Sequence, residues 1–513
     1  MSKTEKKRAS KQKYVSQYQL TLPGFETPFS NSLLPTNRWV ILAQRIPWDM
    51  LVGIYQSSMD NSEYGAGSIN PRVAIGSLII KHLENLSDRD TVLHIQENIY
   101  MQYFVGYSGF STEIPFDPSL LVEFRKRLGI DKINQINEII VKMTQAQVNN
   151  SRAKTSPPAN FDNDASSNEQ DEPKSQERET HRGKLIADAT ACPQDIAYPT
   201  DLNLLNDARM KTEELIDKLY APILHLQKPR TDRVQARKDY LQTAQKKKKT
   251  KKEIRKAVRK QLGYLNRNIV SVNLLLDAYS VFPLDKTQHK YLLVVTTLYQ
   301  QQKKMYDEKS HSIEDRIVSI HQPHIRPIVR GKANSDTEFG AKIQVCLMNG
   351  FAFLDDLSWD AFNEGSRLIS SVEKYKQRFG YYPQEVLVDK IYCTRDNRAK
   401  LRERGIVLRA KPLGRPKAVD VEHVRPGERN PIEGTFGQAK TAYGMNRIKA
   451  RLKETSESWI ATIVLVLNLV KLTGMVPHYL YMTLVNLFSK WCFDNCKANY
   501  FLQEQILVRF YKI

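Results

Sequence analysis

The chain has 513 residues, 41% hydrophobic and 26% charged, as in soluble globular proteins, and its length predicts two to four folded units. Lys and Arg outnumber Asp and Glu by 77 to 56, and the resulting net charge of +21 favours a phosphate-rich partner. The five scattered cysteines argue against a disulfide framework, and the longest apolar run, 459–470, is too short to span a membrane. We read that run as a buried helix and expect no signal peptide.

The N-terminal part of the chain is predicted to be helical after a basic, disordered arm at residues 1–30. Over 31–148, apolar residues recur at helix spacing. Pro71 opens one predicted helix, and Ser87 caps another that should reach Phe104.

The segment FDPSLLVEFRKRLG predicts a further helix, with Asp117 as its N-cap and Pro118 at its first position. Arg125 and the two basic residues after it should lie on the exposed side. Short helices with a basic final member are compatible with a DNA-binding helix-turn-helix. A plain helical bundle with a solvated face fits the periodicity equally well.

Residues 149–182 contain almost no large apolar side chains and are rich in Ser, Asn, Asp, Glu and Pro, so we predict a disordered linker. Beyond it, KLIADAT at 184–190 predicts a strand, and a helix should begin near residue 202. The run KKKKTKKEIRKAVRK at 246–260 carries ten cations, including Lys247 and Lys248, against one Glu. Such a run is either a solvated face or a direct contact with nucleic acid.

The second half of the chain alternates strand and helix patterns. The predicted strands are KYLLVVTTL (290–298), RIVSI (316–320), FGAKIQVCL, GFAFLDDL, EVLVD (385–389) and GIVLRA. Helices are expected over 366–379 and 394–404, and a third should start at Pro431. This order predicts an α/β domain with a mixed or parallel sheet.

Three carboxylates are the candidate catalytic and metal-binding residues. Asp188 and Asp389 each follow three apolar residues, at the predicted ends of the strands LIAD and VLVD. Side chains at the carboxyl ends of strands converge on the ligand crevice of α/β sheets. Glu433 lies in the helix that follows. Such a set suits two-metal phosphoryl transfer, for which hard cations such as Mg²⁺ need only oxygen ligands.

Other acidic and histidine residues are weaker candidates. Asp355 and Asp356 are adjacent in a predicted strand, so they should point to opposite faces and cannot share a metal. His321 and His324 lack a third ligand at a defined spacing. We expect them to contact DNA or to be structural.

Most of residues 40–475 resemble the DDE transposases of bacterial insertion sequences. The matching segments are LIADATACPQDIAYPTDLNLLNDAR, RPIVRGKANSDTEFGAK, VLVDKIYCTRDNR, RNPIEGTFGQAKTAYGMNRIKAR and FDPSLLVEFRKRLG. The resemblance implies an N-terminal all-α DNA-binding domain (31–148) and a ribonuclease-H-like catalytic domain (183–475). The latter would have a mixed sheet with helices on both faces and a mainly helical, basic insertion at about 203–335. A C-terminal tail, 476–513, lies outside the resemblance.

The resemblance assigns Asp188, Asp389 and Glu433 as the first, second and third carboxylates. It places Arg429 and Lys440 in the family's R-(3)-E-(6)-K signature, facing DNA phosphates. Pro426 stands where that signature has Tyr, and Ile391 precedes Tyr392 where Gly is usual. The other cations expected to contact DNA are Arg326, Arg330, Lys332, Lys247, Lys248 and Arg125.

The implied function is that of an endonuclease and strand-transfer enzyme. It would bind the terminal inverted repeats of its element, cleave the ends and join the 3′-hydroxyl to target DNA with Mg²⁺, for which Mn²⁺ can substitute. Double-stranded DNA is the expected partner, bound by a homodimer or a larger assembly in the bacterial cytoplasm at the nucleoid, with no membrane. The alternatives are a nuclease of the same fold without strand transfer and a non-catalytic DNA-binding derivative.

Overall fold

The computed structural model describes residues 33–59, 68–155, 181–332, 335–410 and 427–474, together with Tyr14 and Ser16. The predicted basic arm, most of the predicted linker, Pro426 and the tail 476–513 therefore lie outside the described residues. The helices before the first strand are α1 (Arg38–Arg45), α2 (Trp48–Gln56), α3 (Pro71–Leu83), α4 (Asp88–Glu97), α5 (Ile99–Phe104) and α6 (Leu120–Thr155).

The remaining elements form the mixed α/β part of the chain. Its strands are β1 (Lys184–Pro193), β2 (Arg326–Lys332), β3 (Ser335–Met348), β4 (Phe351–Ser358), β5 (Glu385–Leu387) and β6 (Val407–Arg409). Its helices are α7 (Asp201–Leu219), α8 (Arg233–Ala244), α9 (Lys251–Asp277), α10 (Lys286–Glu308), α11 (Leu368–Phe379), α12 (Arg395–Glu403), α13 (Asn430–Thr441) and α14 (Lys453–Thr473).

Local capping explains where the N-terminal helices begin and end. Asn70 caps α3 ahead of Pro71, and Ser87 caps α4, as predicted. The predicted single helix to Phe104 is wrong. Asn98 takes an extended conformation that ends α4, and its side chain caps the separate helix α5.

Two predicted strands are absent from the described residues. KYLLVVTTL lies inside α10, which a capping box between Asp285 and Gln288 starts. Its buried residues Val295 and Leu298 pack with residues of α7 and α9, so helix packing overrides the strand propensity of Val and Thr. RIVSI is irregular rather than a strand, although its isoleucines join the same core.

The sheet is six-stranded and mixed, in the order β2-β3-β1-β5-β6, with β4 also paired to β3. The long strand β3 runs antiparallel to β1 on one edge and antiparallel to β2 and β4 on the other. β1, β5 and β6 run parallel to one another. The predicted mixed sheet is therefore confirmed, and its parallel strands lie side by side.

Alternating residues of β1 and β3 bury against helices on both faces of the sheet. On one face, Ile186 and Val345 belong to a core that includes α13, α14 and the N-terminal helices. On the other face, Ala187 and Cys346 pack with α11 and α12. Between β1 and β2, helices α7, α9 and α10 form two further cores.

The N-terminal helices and the sheet share one continuous hydrophobic core, organised around α14. A buried amide network joins them: Asn468 Nδ2 of α14 donates to Asn137 Oδ1 of α6 at 2.8 Å and to the Ala352 carbonyl oxygen of β4 at 2.7 Å. Within the described chain α14 is the one helix long and apolar enough to cross a membrane. Of its most apolar stretch, 83% is buried inside the protein. It is therefore the buried core helix that the sequence predicts.

Arg125 does not lie on an exposed face, and that prediction is wrong. Its side chain is 3% exposed and forms two hydrogen bonds to Asp88, at 3.0 and 2.8 Å. Lys81, 2% exposed, pairs with the same carboxylate at 2.9 Å, and both cations stack over the Trp459 ring. A buried arginine gains stability by pairing, so Arg125 holds the N-terminal helices to α14 rather than contacting DNA.

Candidate active site

Asp188 and Asp389 occupy equivalent positions on adjacent parallel strands. The last paired residues of β1 and β5 are Ile186 and Leu387, and each aspartate follows its own by two positions. The prediction that Asp188 ends its strand is wrong, because β1 continues to Pro193 in its antiparallel pairing with β3. Its pairing with β5 does end there, so both carboxylates lie where the two parallel strands separate.

Arg429 joins the two carboxylates. Its Nη2 lies 3.1 Å from Asp188 Oδ2, and its Nη1 lies 3.3 Å from Asp389 Oδ1. The arginine is the N-cap residue of α13, and its side chain is 19% exposed. Its Nε–H is buried without a hydrogen-bond partner among the described residues. One guanidinium thus offsets two converging negative charges, and its Nε–H can still donate a hydrogen bond to another group.

The environment of Asp188 disfavours its charge. Burial raises the pKa of the Asp188 carboxyl to about 6, although the Ala189 N–H and Arg429 oppose the shift. Repulsion from Glu364 and Asp389 raises this pKa further. Such a carboxylate is ionised above about pH 6 and gains from any additional positive charge placed beside it.

Glu433 lies one turn beyond Arg429, in the first turn of α13, and is exposed. Lys440 lies in the last turn of the same helix. The structure thus places Asp188, Asp389 and the N-terminal end of the glutamate helix together. In the part of the chain that the structure describes, no three acidic, histidine or cysteine side chains are close enough to hold a metal ion. The role of Glu433 as the third ligand stays a prediction.

The cations predicted to contact DNA lie in different settings. Lys247 and Lys248 are exposed just before α9. Arg326 turns back on the protein, donating from Nη1 to the carbonyl oxygens of Pro323 at 2.6 Å and Ile325 at 3.1 Å. Arg330 and Lys332 belong to β2, but their side chains are outside the described part.

The remaining candidates are held in structural contacts. Asp355 pairs with Arg378 at 2.5 Å and Asp356 with Arg367 at 3.0 Å. The expected alternation of these two side chains does not apply, because the pairing of β4 with β3 has a register shift between them. The His324 ring packs edge-on against Trp359, and burial lowers the pKa of His324 to about 4.

The charge of Glu364, which the sequence did not single out, raises the pKa of Asp188, and Glu364 itself pairs with Lys342 of β3. Lys342 ends the segment RPIVRGKANSDTEFGAK, one of those that carry the family resemblance. Glu364 follows Asn363, which caps a short 3₁₀ turn, and nothing in the local pattern separates it from an ordinary carboxylate at a turn start.

Comparison with known proteins finds two family matches for the chain. Residues 386–470 match the family described as transposase DDE domain, and residues 29–127 match the transposase domain DUF772. These matches confirm the predicted resemblance to the DDE transposases of insertion sequences.

One curated relative is an uncharacterized protein, ORF8 in the nfe locus of Rhizobium meliloti. It is 28% identical over 174 residues, which cover 33% of this chain and 68% of that protein. No solved structure matches the chain.

Proposed function

We propose that this chain binds the terminal inverted repeats of its own element, cleaves the element ends and joins the freed 3′-hydroxyl to target DNA. The observation that carries the proposal is the convergence of Asp188 and Asp389 on Arg429, directly before the helix that holds Glu433. The two transposase family matches support it.

Asp188 and Asp389 fit a divalent cation such as Mg²⁺, with Mn²⁺ as a substitute. Their carboxylate oxygens are the ligands that hard cations prefer, and they already converge on one shared positive group. Both aspartates would hold the cation, with Glu433 as the third ligand. When bound, the metal polarises the phosphodiester and lowers the pKa of the attacking water or 3′-hydroxyl.

Arg429 is the group of this chain best placed to position the scissile phosphate. Its guanidinium lies between the two carboxylates, and its Nε–H has no partner among the described residues. Arginine binds phosphate oxygens through several donors of its planar fork. We infer that Arg429 holds the phosphate against the carboxylates, while Lys440, at the far end of α13, contacts the backbone.

The domain architecture that we propose is the one that the family resemblance implies. We infer that the mixed sheet is the ribonuclease-H-like core of a catalytic domain spanning 183–475. Helices α7 to α10 would be its insertion, and residues 31–148 a DNA-binding domain. The candidate cations for DNA contact are Lys247, Lys248, Arg326, Arg330 and Lys332. We further propose assembly of at least a dimer on paired ends, in the cytoplasm at the nucleoid.

Replacing Glu433 with Gln should lower end cleavage by at least about 10²-fold with little change in DNA binding, because the substitution removes one metal-binding charge. The assay is gel analysis of cleavage and joining with purified protein, Mg²⁺ and the element's own ends. Glu454→Gln, in the first turn of α14, is the matched control and should retain activity.

The same gel distinguishes strand transfer from hydrolysis alone. Joined products from a pre-cleaved end support the transposase, whereas cleavage without joining supports the nuclease. Equal activity of wild type and Glu433→Gln would show that Glu433 is not a residue of the active site.

Replacing both Lys247 and Lys248 with Gln should reduce the salt dependence of DNA binding. Each phosphate contact contributes about 0.9 to the slope of log K against log salt, so the loss of two should lower its magnitude by about 2. The measurement is the dissociation constant at several salt concentrations.

The control for that measurement replaces Lys303 and Lys400 with Gln. Both lysine side chains are half exposed, at 49% and 45%, and paired within their own helices, with Asp307 at 2.5 Å and Asp396 at 2.7 Å. An unchanged slope for the Lys247 and Lys248 variant would show that the basic run 246–260 is a solvated surface that does not contact DNA.

A further inference from the structure

The helices between β1 and β2 end in two loops that are joined to each other. One loop, 220–232, connects α7 to α8, and the other, 278–285, connects α9 to α10. The His225 ring donates from Nε2 to the Leu275 carbonyl oxygen of α9 at 2.9 Å. The Tyr279 hydroxyl donates to the last carbonyl oxygen of α7 at 2.6 Å. We call these two loops together the insertion tip.

The insertion tip exposes large apolar side chains from both loops. On the first loop, Ile223 is 97% exposed and Leu226 is fully exposed. On the second, Val281 is 78% and Phe282 is 53% exposed. Single exposed apolar residues are common on protein surfaces, but several at one end of a group of helices mark a surface that another molecule covers.

These exposed side chains stand on a packed support. Leu219, Leu275 and Leu284 are buried in the core beneath the two loops, and Tyr279 packs against them. The core is therefore complete without the exposed residues, so they contribute little to folding and are held in fixed positions.

The insertion tip and the helix ends beside it have no net charge, unlike the chain as a whole. Residues 216–232 and 277–289, which run from the last turn of α7 to the N-cap of α8 and from the end of α9 to the first turn of α10, contain four acidic and four basic residues. The whole chain carries +21. Part of the balance is a direct ion pair, since Lys228 Nζ lies 2.8 Å from Asp217 Oδ1.

This balance of charge favours a protein partner over DNA. Affinity for DNA comes from cations that neutralise phosphates, as the basic run 246–260 could do with ten cations against one Glu. At physiological salt, charges more than about 8 Å away are largely screened, so the local charge of a surface decides whether two molecules repel each other there. Two copies of this +21 chain can therefore approach through their neutral insertion tips, whereas their basic surfaces repel.

The insertion tip lies away from the candidate active site. Helix α7 follows β1 and has 19 residues, so its rise places the tip about 28 Å from the end of α7 that is nearer the sheet. In a two-fold dimer the same surface of each copy takes part, so Leu226 and Phe282 of one copy would pack against the tip of the other. Asp188 and Asp389 of both copies would stay open to DNA.

We propose that two copies of this chain associate through their insertion tips. This inference deepens the proposed function and rests on it, because the dimer on paired ends would be formed by this surface. The contact needs no DNA, so the purified protein alone should form the dimer.

The test is sedimentation velocity of the purified full-length protein without DNA, over a range of protein concentrations. The wild type should associate reversibly from monomer to dimer. Truncating a central apolar residue of an interface commonly costs tenfold or more in affinity, and carboxylates that face each other add repulsion. The double variant Leu226→Asp with Phe282→Asp should therefore raise the dissociation constant by at least about 100-fold.

The matched control is the double variant Phe110→Asp with Ile114→Asp. It replaces an aromatic and an aliphatic residue that are also exposed but precede α6, outside the insertion tip, and it should associate like the wild type. Thermal unfolding of each variant monitors folding. If the aspartate variant of the tip is unfolded, Leu226→Ser with Phe282→Ser adds no charge and should still raise the dissociation constant at least about tenfold.

A wild type that stays monomeric, a tip variant that associates like the wild type, or an equal loss in the control would each overturn the inference. Unchanged association of the tip variant together with weaker binding to the element's ends would also overturn it and would assign the tip to DNA.

The outcome is separable from the proposed function. If the tip variant loses association while the wild type neither cleaves nor joins DNA, the dimer surface stands and the transposition chemistry fails. If the wild type processes the ends but the tip variant associates normally, the transposition chemistry stands and the dimer surface fails.

Discussion

Asp188→Asn is expected to lower end cleavage and strand joining by at least about 10³-fold. A metal contributes several kcal/mol of transition-state stabilisation, and each 1.4 kcal/mol lost costs about tenfold in rate. Asn has nearly the same size, and Arg429 keeps its partner Asp389 at 3.3 Å, so folding and DNA binding should be little changed. Single-turnover cleavage with Mg²⁺ on the element's ends measures the loss.

Asp195→Asn is the control for that experiment. Asp195 lies just beyond β1 and pairs with Arg447 at 2.8 Å, with a side chain that is 39% exposed. Asp195 is close to Asp188 in the sequence but lies in a surface ion pair, so it should be dispensable for catalysis. Retained cleavage in Asp188→Asn would show that the convergence of Asp188 and Asp389 is structural.

Asp88→Ala is expected to lower the free energy of unfolding by about 3 kcal/mol. The substitution leaves Lys81 and Arg125, exposed by only 2% and 3%, buried without their shared carboxylate. Removing one partner of a buried pair costs far more than removing a surface pair. Urea unfolding followed by circular dichroism measures the change.

The control is Glu123→Ala, which removes a surface pair with Lys126 at 2.8 Å. It should change stability by less than about 0.5 kcal/mol. Equal stability of Asp88→Ala and wild type would mean that the two buried cations find other partners.

The ion pairs of Asp88 with Arg125 and Lys81 also make the stability depend on pH. Burial raises the pKa of Asp88, but hydrogen bonds and charge from Arg125 and Lys81 outweigh it and bring the pKa to about 2. A carboxyl whose pKa is lowered on folding adds stability above its unfolded pKa of about 4. The advantage of wild type over Asp88→Ala should therefore be constant above about pH 4 and shrink as the pH falls towards 2.

The sequence was informative where a local pattern coincides with a buried strand. LIAD and VLVD place an aspartate after three apolar residues, and the structure puts these aspartates beside each other because the two strands are parallel and in register. It was misleading where local propensity and packing disagree. KYLLVVTTL has strand-forming residues, yet it lies in helix α10, whose Val295 and Leu298 pack with residues of α7 and α9.

By itself, the sequence determined the transposase resemblance, the mixed α/β class, the basic character and the aspartate pair, because these depend on composition and local order. Only the tertiary structure decided which basic side chains are exposed. Arg125 looks exposed by helix spacing but is buried against Asp88 and Trp459, which lie far from it in the chain. It likewise brought Arg429 between Asp188 and Asp389, a contact among distant segments that no local pattern encodes.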